Sequence, residues 1–472
     1  MNHRFLHLCI CGILILFSCN SKKKESKEDM TTEVDSITSM DDLPHILLKK
    51  KLKAITLYSS VSYFIYRGEP MGYDYDLCKD FASSLGLELE IVVAKNVNEL
   101  TEMLNNGEGD VVIYNLPVTN ELKDEINYCG KETISNQVLI QRKEKGDTLL
   151  KDVTELIGKE IYVQKNTKYE QRLINLNEEL GGGVIIHDIN KDSITIEDMI
   201  EMVSKGLIPY TLADADMAML NRTYYNNIDV SLAISFPQRS SWAVRKNSPI
   251  LAVALDGWFK ENKKSTRYQS IIKRYFEVSK STVVASQILS IQHGQISIFD
   301  HLFKKYAVTS GFDWRLLASI AYQESRFDTT ATSWAGAKGL MQIMPQTFTG
   351  LGEKSEDMGN PEASVRAAAK YLKIMEGNFK SIENREERMK FILASYNAGI
   401  GHIYDAQALA KKYGKDPHVW TGSVAEFALL KSNPEYYTDS VCRFGYFRGR
   451  ETYNYVIVVL ASYEYYKEKI KL

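Results

Sequence analysis

The feature that most constrains the fold of this 472-residue chain is a change in hydrophobic periodicity past its middle. After Leu52, short β-rich runs alternate with helical ones. In chain order they predict a strand at 52–59, a helix at 75–86, a strand at 87–94, a helix at 97–107 and a strand at 110–116. This β-α-β-α-β order is typical of an α/β sheet with parallel strands.

The α/β pattern restarts at 157–176 and then changes class. Further strands are predicted near 184–187, 208–213 and 232–236. The region from about residue 285 has helical periodicity nearly throughout, with Gly-rich connectors, and the boundary falls near 273–282. We therefore predict an α/β domain over 46–280 and a mainly α domain over 285–472.

The N-terminus has the pattern of a secretory signal. Arg4 precedes an apolar run, Phe5–Phe17, that is too short to span a bilayer as a helix but fits the apolar region of a signal peptide. It ends in Leu-Phe-Ser-Cys, which resembles a bacterial lipobox and implies a signal over 1–19 with acylation of Cys19. The alternative is an ordinary signal peptide with a chance cysteine.

The polar segment that follows suits a membrane tether. Residues 20–45 are rich in Lys, Ser, Glu, Asp and Thr and predict a flexible linker. Together with the lipobox, they predict a lipid-anchored envelope protein at the outer membrane, facing the periplasm and using outer-membrane lipid as a partner.

Charge and cysteine content exclude several classes of function. The formal net charge of −2 lacks the excess of positive charge that is typical of nucleic-acid-binding proteins. Apart from the acylated Cys19, removal of a signal would leave Cys78, Cys129 and Cys442, at spacings that suit neither a disulfide framework nor a metal site. No metal or cofactor is expected, and a neutral or anionic polymer remains open as a substrate.

Motifs along the first domain resemble a type II periplasmic solute-binding domain of the amino-acid-binding kind. They are GYDYDLCKDFASSLG (72–86), LNNGEGDVVI (104–113), VQKNTKYEQRL (163–173), YTLADADMAM (210–219) and IIKRYF (271–276). The resemblance implies two lobes with a ligand cleft between them.

The same resemblance implies a small ligand and three residues for it. Asn166 and Thr167 occupy the position that offers backbone N–H groups, and Asp214 the position that takes a ligand ammonium. The structural alternative is that Thr167 is a helix cap and Asp214 a loop acid. Leu122 stands where this family usually has an Arg for the ligand carboxylate. A peptide, a muropeptide or a purely regulatory cleft is therefore at least as plausible as a site for a free amino acid.

Three predicted helices of the second domain share an apolar stripe with a polar group at one end. The stripes are Leu317, Ile320, Ala321 and Glu324; Met389, Ile392, Leu393 and Tyr396; and Tyr453, Val456, Ile457 and Leu460. Their ends predict a cleft lined by Glu324, Tyr396 and Tyr453. An acid against an apolar wall has a raised pKa, which suits a general acid. The alternative is an exposed acid with ordinary core tyrosines.

Four motifs in order resemble the lytic transglycosylases of the goose-lysozyme-like superfamily. They are AYQESRF (321–327), SWAGAKGLMQIMPQT (333–347), ASYNAGIGH (394–402) and RGRETYNYV (448–456). The resemblance implies a lysozyme-like fold, peptidoglycan glycan strands as substrate, and Glu324 as catalytic acid and base. It also implies that substrate is contacted by Ser325, Ser333, Gly339, Met341, Gln342, Tyr396, Asn397 and Tyr453. Gly339 as a turn residue and Met341 as core remain structural alternatives.

The resemblance also implies a mechanism with one carboxylate. Glu324 would protonate the bond between N-acetylmuramic acid and N-acetylglucosamine, and the substrate's acetamido group would replace a second carboxylate. The muramoyl C6 hydroxyl would close on C1 to give a 1,6-anhydro end. Two other hypotheses remain: a ligand-binding sensor lipoprotein whose lysozyme-like domain is vestigial, and a transporter-coupled amino-acid receptor, which Leu122 disfavours.

Overall fold

The computed structural model describes residues 42–189, 194–280 and 294–471. The predicted signal peptide, Cys19 and most of the linker lie outside these residues. The first helix begins at Leu43, where the Asp42 side chain accepts a hydrogen bond from the Leu43 backbone N–H.

The first domain contains nine helices and twelve strands among the described residues. In chain order they are α1 (Leu43–Lys49), β1 (Lys51–Thr56), β2 (Phe64–Tyr66), β3 (Glu69–Met71), α2 (Tyr73–Ser84), β4 (Glu88–Val93), α3 (Val97–Asn105), β5 (Val111–Pro117), α4 (Asn120–Glu125), β6 (Ile126–Ser135), β7 (Gln137–Arg142), β8 (Glu160–Gln164), α5 (Lys168–Glu179), β9 (Ile185–Ile189), α6 (Ile196–Ser204), β10 (Tyr210–Asp214), α7 (Ala215–Arg222), β11 (Ile228–Asp229), β12 (Gln238–Arg245), α8 (Pro249–Asn262) and α9 (Thr266–Phe276).

Two five-stranded sheets give this domain two lobes. The first sheet has the order β4-β1-β5-β12-β6 and the second the order β11-β7-β10-β8-β9. The chain passes from the first lobe to the second between β6 and β7 and returns between β11 and β12. This double crossing is the two-lobed arrangement predicted from the motifs.

The predicted strands are confirmed except at one connection. β1 pairs in parallel with β4 and β5, as the β-α-β order requires, whereas β12 returns antiparallel against β5 and β6. The strand predicted near 232–236 is wrong, since only an isolated bridge joins Ala233 to Val138 there. That segment carries the chain between the lobes, so it has no continuous neighbour to pair with.

A short hairpin formed by β2 and β3 makes a separate two-stranded sheet. Its two-residue turn consists of Arg67 and Gly68, with φ angles of 50° and 83°. Positive φ at both central residues is typical of a tight hairpin turn whose twist matches the strands. The turn therefore presents the Arg67 side chain at the tip of the hairpin.

The second domain is helical. Its helices are α10 (Asp300–Ser310), α11 (Trp314–Ser325), α12 (Pro345–Gly350), α13 (Pro361–Asn378), α14 (Arg385–Ala398), α15 (Ile400–Lys412), α16 (Ala425–Leu430), α17 (Pro434–Tyr437) and α18 (Gly449–Lys469). Fully buried side chains from four helices and one loop form its core: Leu317, Leu340, Leu372, Leu393 and Val459. In the described part of the chain, no helix is both long and apolar enough to cross a membrane.

Candidate active site

Helix α11 carries Glu324 at the end of its buried face. Asp313 caps the helix by accepting a hydrogen bond from the Arg315 backbone N–H at 2.9 Å. Leu317, Ile320 and Ala321 are fully buried, as the stripe predicted. One turn further on, the Glu324 side chain is only 4% exposed, so a carboxyl continues an apolar face.

Burial dominates the electrostatics of Glu324. It raises the pKa of the carboxyl because the charged form is poorly solvated. Arg67 and the Tyr455 phenol act in the opposite direction, while the negative charge of Glu451 adds to the rise. The net direction is upward, which suits a group that must hold a proton near neutral pH.

Arg67, from the hairpin of the first domain, forms an ion pair with the carboxylate of Glu324. Its Nη2 lies 3.1 Å from Oε2 and 3.4 Å from Oε1, and its Nη1 donates to the Gln342 carbonyl oxygen at 2.9 Å. The two paired side chains are 11% and 4% exposed. A guanidinium that spans both oxygens of a buried carboxylate leaves no room for a substrate oxygen at the acid.

Other groups hold the hairpin in the same cleft. The His402 Nε2 donates to the Ile65 carbonyl oxygen at 2.8 Å, and the Tyr66 hydroxyl donates to Glu451 at 3.2 Å. Burial and then the nearby Lys431 hold the pKa of His402 well below its usual value, so the ring stays neutral in this contact. The hairpin thus docks by polar contacts from β2 as well as from Arg67 at its tip.

A tryptophan of the second motif packs on strand β2 of the hairpin. The Trp334 ring centroid lies 5.1 Å from that of Tyr66 and 6.4 Å from that of Phe64. At the tip, Gly399 lies so close to the hairpin that a Cβ there would meet the Gly68 and Arg67 backbone. Two of the four motifs therefore contact the hairpin, one at β2 and the other at its tip.

The structure brings Tyr396 to the acid but places Tyr453 elsewhere. Tyr396 is 3% exposed and donates to the Met341 carbonyl oxygen at 2.8 Å. Burial and then the charge of Glu324 raise its pKa. The third tyrosine of the cleft is Tyr455, 5% exposed, whose pKa is raised by burial and by Glu324. Tyr453 is half-buried against the helical core instead.

The correction at α18 has a clear physical reason. Thr452, Tyr455, Val456 and Val459 form the buried face, while Ile457 is 50% exposed. The segment YNYVIVVL is apolar at nearly every position, so its sequence does not fix the phase of the helix. The prediction chose a face one residue away from the observed one.

The predicted glycan-binding loop is tied together by its own hydrogen bonds. Ser325 donates to the Leu340 carbonyl oxygen at 2.8 Å, and the Ser333 hydroxyl accepts from the Ala337 N–H at 3.0 Å. At Gly339, with φ of 77°, a Cβ would meet the Met358 carbonyl oxygen, so the structural alternative fits this turn residue.

Met341 and Gln342 support the cleft through their backbones. The Met341 side chain is fully buried in the core, which fits its structural alternative, while its carbonyl accepts from Tyr396. The Gln342 side chain donates to the Ala331 and Gly339 carbonyl oxygens at 2.9 and 2.8 Å, and its own carbonyl holds Arg67.

Two further side chains connect the motifs. Asn397 is 4% exposed and accepts from the Thr452 hydroxyl at 2.5 Å, which joins α14 to α18. Glu451, one residue earlier, is a second carboxylate that acts on Glu324 and that the sequence analysis did not include. Its place just before Thr452 in RGRETYNYV would have suggested it once the helix phase was known.

The three predicted ligand residues of the first domain are engaged locally. The Asn166 N–H donates to Glu170 at 2.6 Å, and Thr167 is the N-cap of α5. Asp214 accepts from Lys168 at 2.5 Å and from the Tyr169 hydroxyl at 3.2 Å. The alternative that Thr167 is a helix cap therefore fits the structure. The carboxylate of Asp214 is already paired with Lys168 of its own domain.

Comparison with known families matches both halves of the chain. The model for the transglycosylase SLT domain matches residues 301–419, and that for bacterial extracellular solute-binding proteins, family 3, matches residues 55–278. These matches confirm the fold class predicted from the sequence: a solute-binding fold of type II followed by a lysozyme-like helical domain.

Relatives of similar length carry one name. The chain is 34% identical over 433 residues to membrane-bound lytic murein transglycosylase F of Desulfosudis oleivorans, covering 91% of this chain and 93% of the relative. It is 30% identical over 438 residues to the protein of that name from Vibrio cholerae, covering 90% and 80%. Among solved structures, an ancestral cationic amino acid solute-binding protein is 22% identical, covers 50% of this chain and 99% of its own, and has a TM-score of 0.43.

Proposed function

The chain belongs to the membrane-bound lytic murein transglycosylase F family, and on that premise we propose that it cleaves the β-1,4 bond between N-acetylmuramic acid and N-acetylglucosamine in peptidoglycan, leaving 1,6-anhydro ends. The observation that carries the proposal is the Glu324 carboxyl, buried at the end of an apolar helix face with its pKa raised. Cell-wall remodelling or turnover is the role that such a reaction would serve.

Glu324 has two tasks in the proposed reaction. Its proton goes to the glycosidic oxygen as the bond to C1 breaks, and the acetamido oxygen of the muramoyl unit stabilises the cationic centre. The carboxylate then takes the proton of the C6 hydroxyl, whose oxygen closes on C1. No water is consumed, and Glu324 ends the cycle protonated again.

The buried phenols of Tyr396 and Tyr455 support this assignment. Both lie beside Glu324 and both have pKa values raised by burial, so they remain neutral hydrogen-bonding groups through the reaction. An apolar wall on one side and neutral phenols on the other keep the proton on Glu324 until the glycosidic oxygen arrives.

The hairpin contact makes the described conformation an inhibited one. Arg67 covers both oxygens of Glu324, so a glycan oxygen cannot approach the acid until the hairpin leaves. The first domain contains the hairpin. We infer that it regulates the second domain by moving the hairpin in response to a peptide, muropeptide or amino-acid-like ligand. Domain bounds of 46–280 and 285–472 remain the proposed division.

The proposed location is the cell envelope. The relatives are named membrane-bound, and the lipobox-like sequence supports attachment through acylated Cys19, with the enzyme at the outer membrane facing the periplasm. Several acyl chains anchor a protein stably, since each buried CH₂ contributes about 0.8 kcal/mol.

Digestion of purified sacculi tests the reaction. Soluble products should carry 1,6-anhydro-muramic ends, each lighter by one water than a hydrolysis product in mass spectrometry. Glu324→Gln should slow release by about 100-fold or more, since general acid catalysis typically contributes 10²–10⁴-fold. Glu426→Gln is the matched control, because that side chain is 51% exposed on the same domain.

The outcome separates the hypotheses. Reducing muramic ends alone would show a hydrolase, and full activity in Glu324→Gln would reject the assigned acid. Because the described state is closed, each variant is also measured with Arg67→Ala present. No release by any of these proteins would favour the sensor lipoprotein with a vestigial catalytic domain.

A further inference from the structure

The indole of Trp334, in the second of the four motifs, packs against the core of the other domain. Its ring centroid lies 5.1 Å from that of Tyr66 and 6.4 Å from that of Phe64 on the hairpin, and 6.2 Å from that of Tyr275 on α9. The Lys280 Nζ lies 4.9 Å from the same centroid. These four partners all belong to the first domain, so withdrawal of that domain would expose the ring.

The loop that carries Trp334 is held by its own domain. The Gly336 N–H donates to the Ser333 carbonyl oxygen at 3.0 Å, and the Ser333 N–H donates to the Ala337 carbonyl oxygen at 2.9 Å. The Ser333 hydroxyl closes the same turn by accepting from the Ala337 N–H at 3.0 Å. These bonds do not involve the hairpin, so the loop keeps its shape when the hairpin leaves. A surface that is already ordered loses little freedom when it binds a ligand.

The indole and the catalytic acid lie at the two ends of one row of contacts. The Arg67 Nη2 is 3.1 Å from the Glu324 Oε2, and the Arg67 Cζ is 5.7 Å from the centroid of the Tyr66 ring. That ring in turn packs on Trp334. The Gln342 carbonyl that holds Arg67 belongs to the same motif as Trp334. The tip of the hairpin therefore fills a continuous path from the acid along the predicted glycan-binding loop to the indole.

A groove of about 260 Å³ borders the indole. The helical domain lines it with Thr332, Ser333 and Trp334, and α9 contributes Lys273 and Arg274. The Ser333 oxygen accepts from a backbone N–H, so its hydroxyl proton can be donated to a ligand oxygen. A pyranose ring has faces of C–H groups and a rim of hydroxyls. An aromatic face with hydroxyl groups beside it therefore matches a sugar unit.

A tryptophan between two domains can also serve packing alone, but Trp334 differs from the core tryptophans. Trp242 and Trp420 are 0% and 2% exposed, within the cores of their own domains, whereas Trp334 is half-buried even in the closed state. In the open state its indole would face water beside the acid. Exposure of so large an apolar surface is unfavourable and marks a binding surface when it lies in a cleft.

We propose that Trp334 is a platform on which a sugar unit of the glycan strand stacks, and that Tyr66 covers this platform in the closed state. The proposal rests on the proposed function, because the strand that reaches Glu324 is the one that would cross the indole. The hairpin then occupies two substrate positions at once, with Arg67 at the acid and Tyr66 on the platform.

Titration calorimetry and digestion kinetics on the full chain test the proposal, with Arg67→Ala present throughout to favour the open state. The calorimetric probe is tetra-N-acetylchitotetraose, an uncharged oligosaccharide. Trp334→Leu keeps an apolar side chain but removes the ring. It should weaken binding of the probe and raise KM for soluble glycan strands by about fivefold each, because a stacking contact is lost. The kcat should stay within about twofold, since the lost contact is made equally in the ground state and the transition state.

Two further variants control the measurement. Trp334→Tyr keeps an aromatic face and should restore most of the binding and most of the KM. Phe236→Leu removes an aromatic ring that is 81% exposed on the first domain, and it should change neither quantity.

A role in packing alone predicts the opposite result. Without the ring the hairpin would be held less firmly, so Trp334→Leu would leave oligosaccharide binding unchanged and would speed digestion; that outcome overturns the proposal. Binding as weak in Trp334→Tyr as in Trp334→Leu, or no binding of the probe to the Arg67→Ala protein, also overturns it. If no variant digests sacculi, the proposed function fails, while the calorimetry still decides whether the indole binds sugar.

Discussion

Replacing Arg67 by Ala should convert the closed enzyme into an open and more active one. The substitution removes the ion pair with Glu324 and the hydrogen bond to the Gln342 carbonyl, both of which exist only in the closed state. Breaking a buried ion pair costs about 3–5 kcal/mol. In the open state Arg67 is solvated, so its loss there costs little.

The lower end of that range is the better value, because Glu324 escapes part of the cost by taking up a proton. Its pKa is already raised by burial, and loss of Arg67 raises it further. A change of about 3 kcal/mol shifts the open-to-closed ratio roughly 150-fold. A protein that is about 1% open would become about 60% open, with a rise of roughly 60-fold in rate.

The assay is the initial rate of muropeptide release from purified sacculi at matched protein concentration. Arg239→Ala is the control, because that side chain is 64% exposed and its partner Glu132 lies on the neighbouring strand of the same lobe. The control should stay within about twofold of wild type. A rate for Arg67→Ala equal to that of the control, with an unchanged Tm, would refute inhibition by the hairpin.

Two further predictions concern the stability of the helical domain. Arg366 lowers the pKa of Glu353 to about 2, so this carboxylate stabilises the fold above its unfolded pKa and the contribution is lost as pH falls toward 2. Glu353→Gln should therefore lower the free energy of unfolding by about 2 kcal/mol at pH 7, and by progressively less from pH 4.5 downward. Urea titrations at several pH values measure this difference. A difference that does not change with pH would contradict the prediction. Gly449→Ala should lower Tm sharply in thermal melts, because a Cβ there would overlap the Ala428 carbonyl and push α18 off α16; an unchanged Tm would show that the helix start yields easily.

The helix that carries the acid could be predicted because its signals are local. Asp313 caps α11 and the spacing of Leu317, Ile320 and Ala321 fixes which face is buried. Glu324 then falls on the same face, because it follows Ala321 by three residues. The same reasoning failed at α18, where apolar residues on all sides left the phase undetermined and Tyr453 was chosen in place of Tyr455.

The closure of the site could not be predicted from the sequence. The residues YRGE (66–69) contain a turn signal at Arg67-Gly68, but a turn does not reveal what its tip touches. Arg67 and Glu324 are 257 residues apart, and their pairing depends on how two domains of different class pack. The sequence also shows no sign of a cavity around Tyr58 and Tyr437. The ligand residues predicted from the first domain omit the walls that the second domain supplies.

The proposed inhibition uses the same property that suits Glu324 to its proposed role as the acid. A carboxyl at 4% exposure must be either protonated or paired with a cation. Protonated, it is ready to donate; paired with Arg67, it is pushed toward the ionised form, which has no proton to give. One side chain therefore both blocks the cleft and opposes the catalytic protonation state. Withdrawal of the hairpin reverses both effects in one motion, because the lowering effect of Arg67 on the pKa of Glu324 ends as the cleft opens to a glycan strand. A bulky neutral plug would have blocked access only, so the charge of Arg67, and not merely its size, is what the hairpin contributes to inhibition.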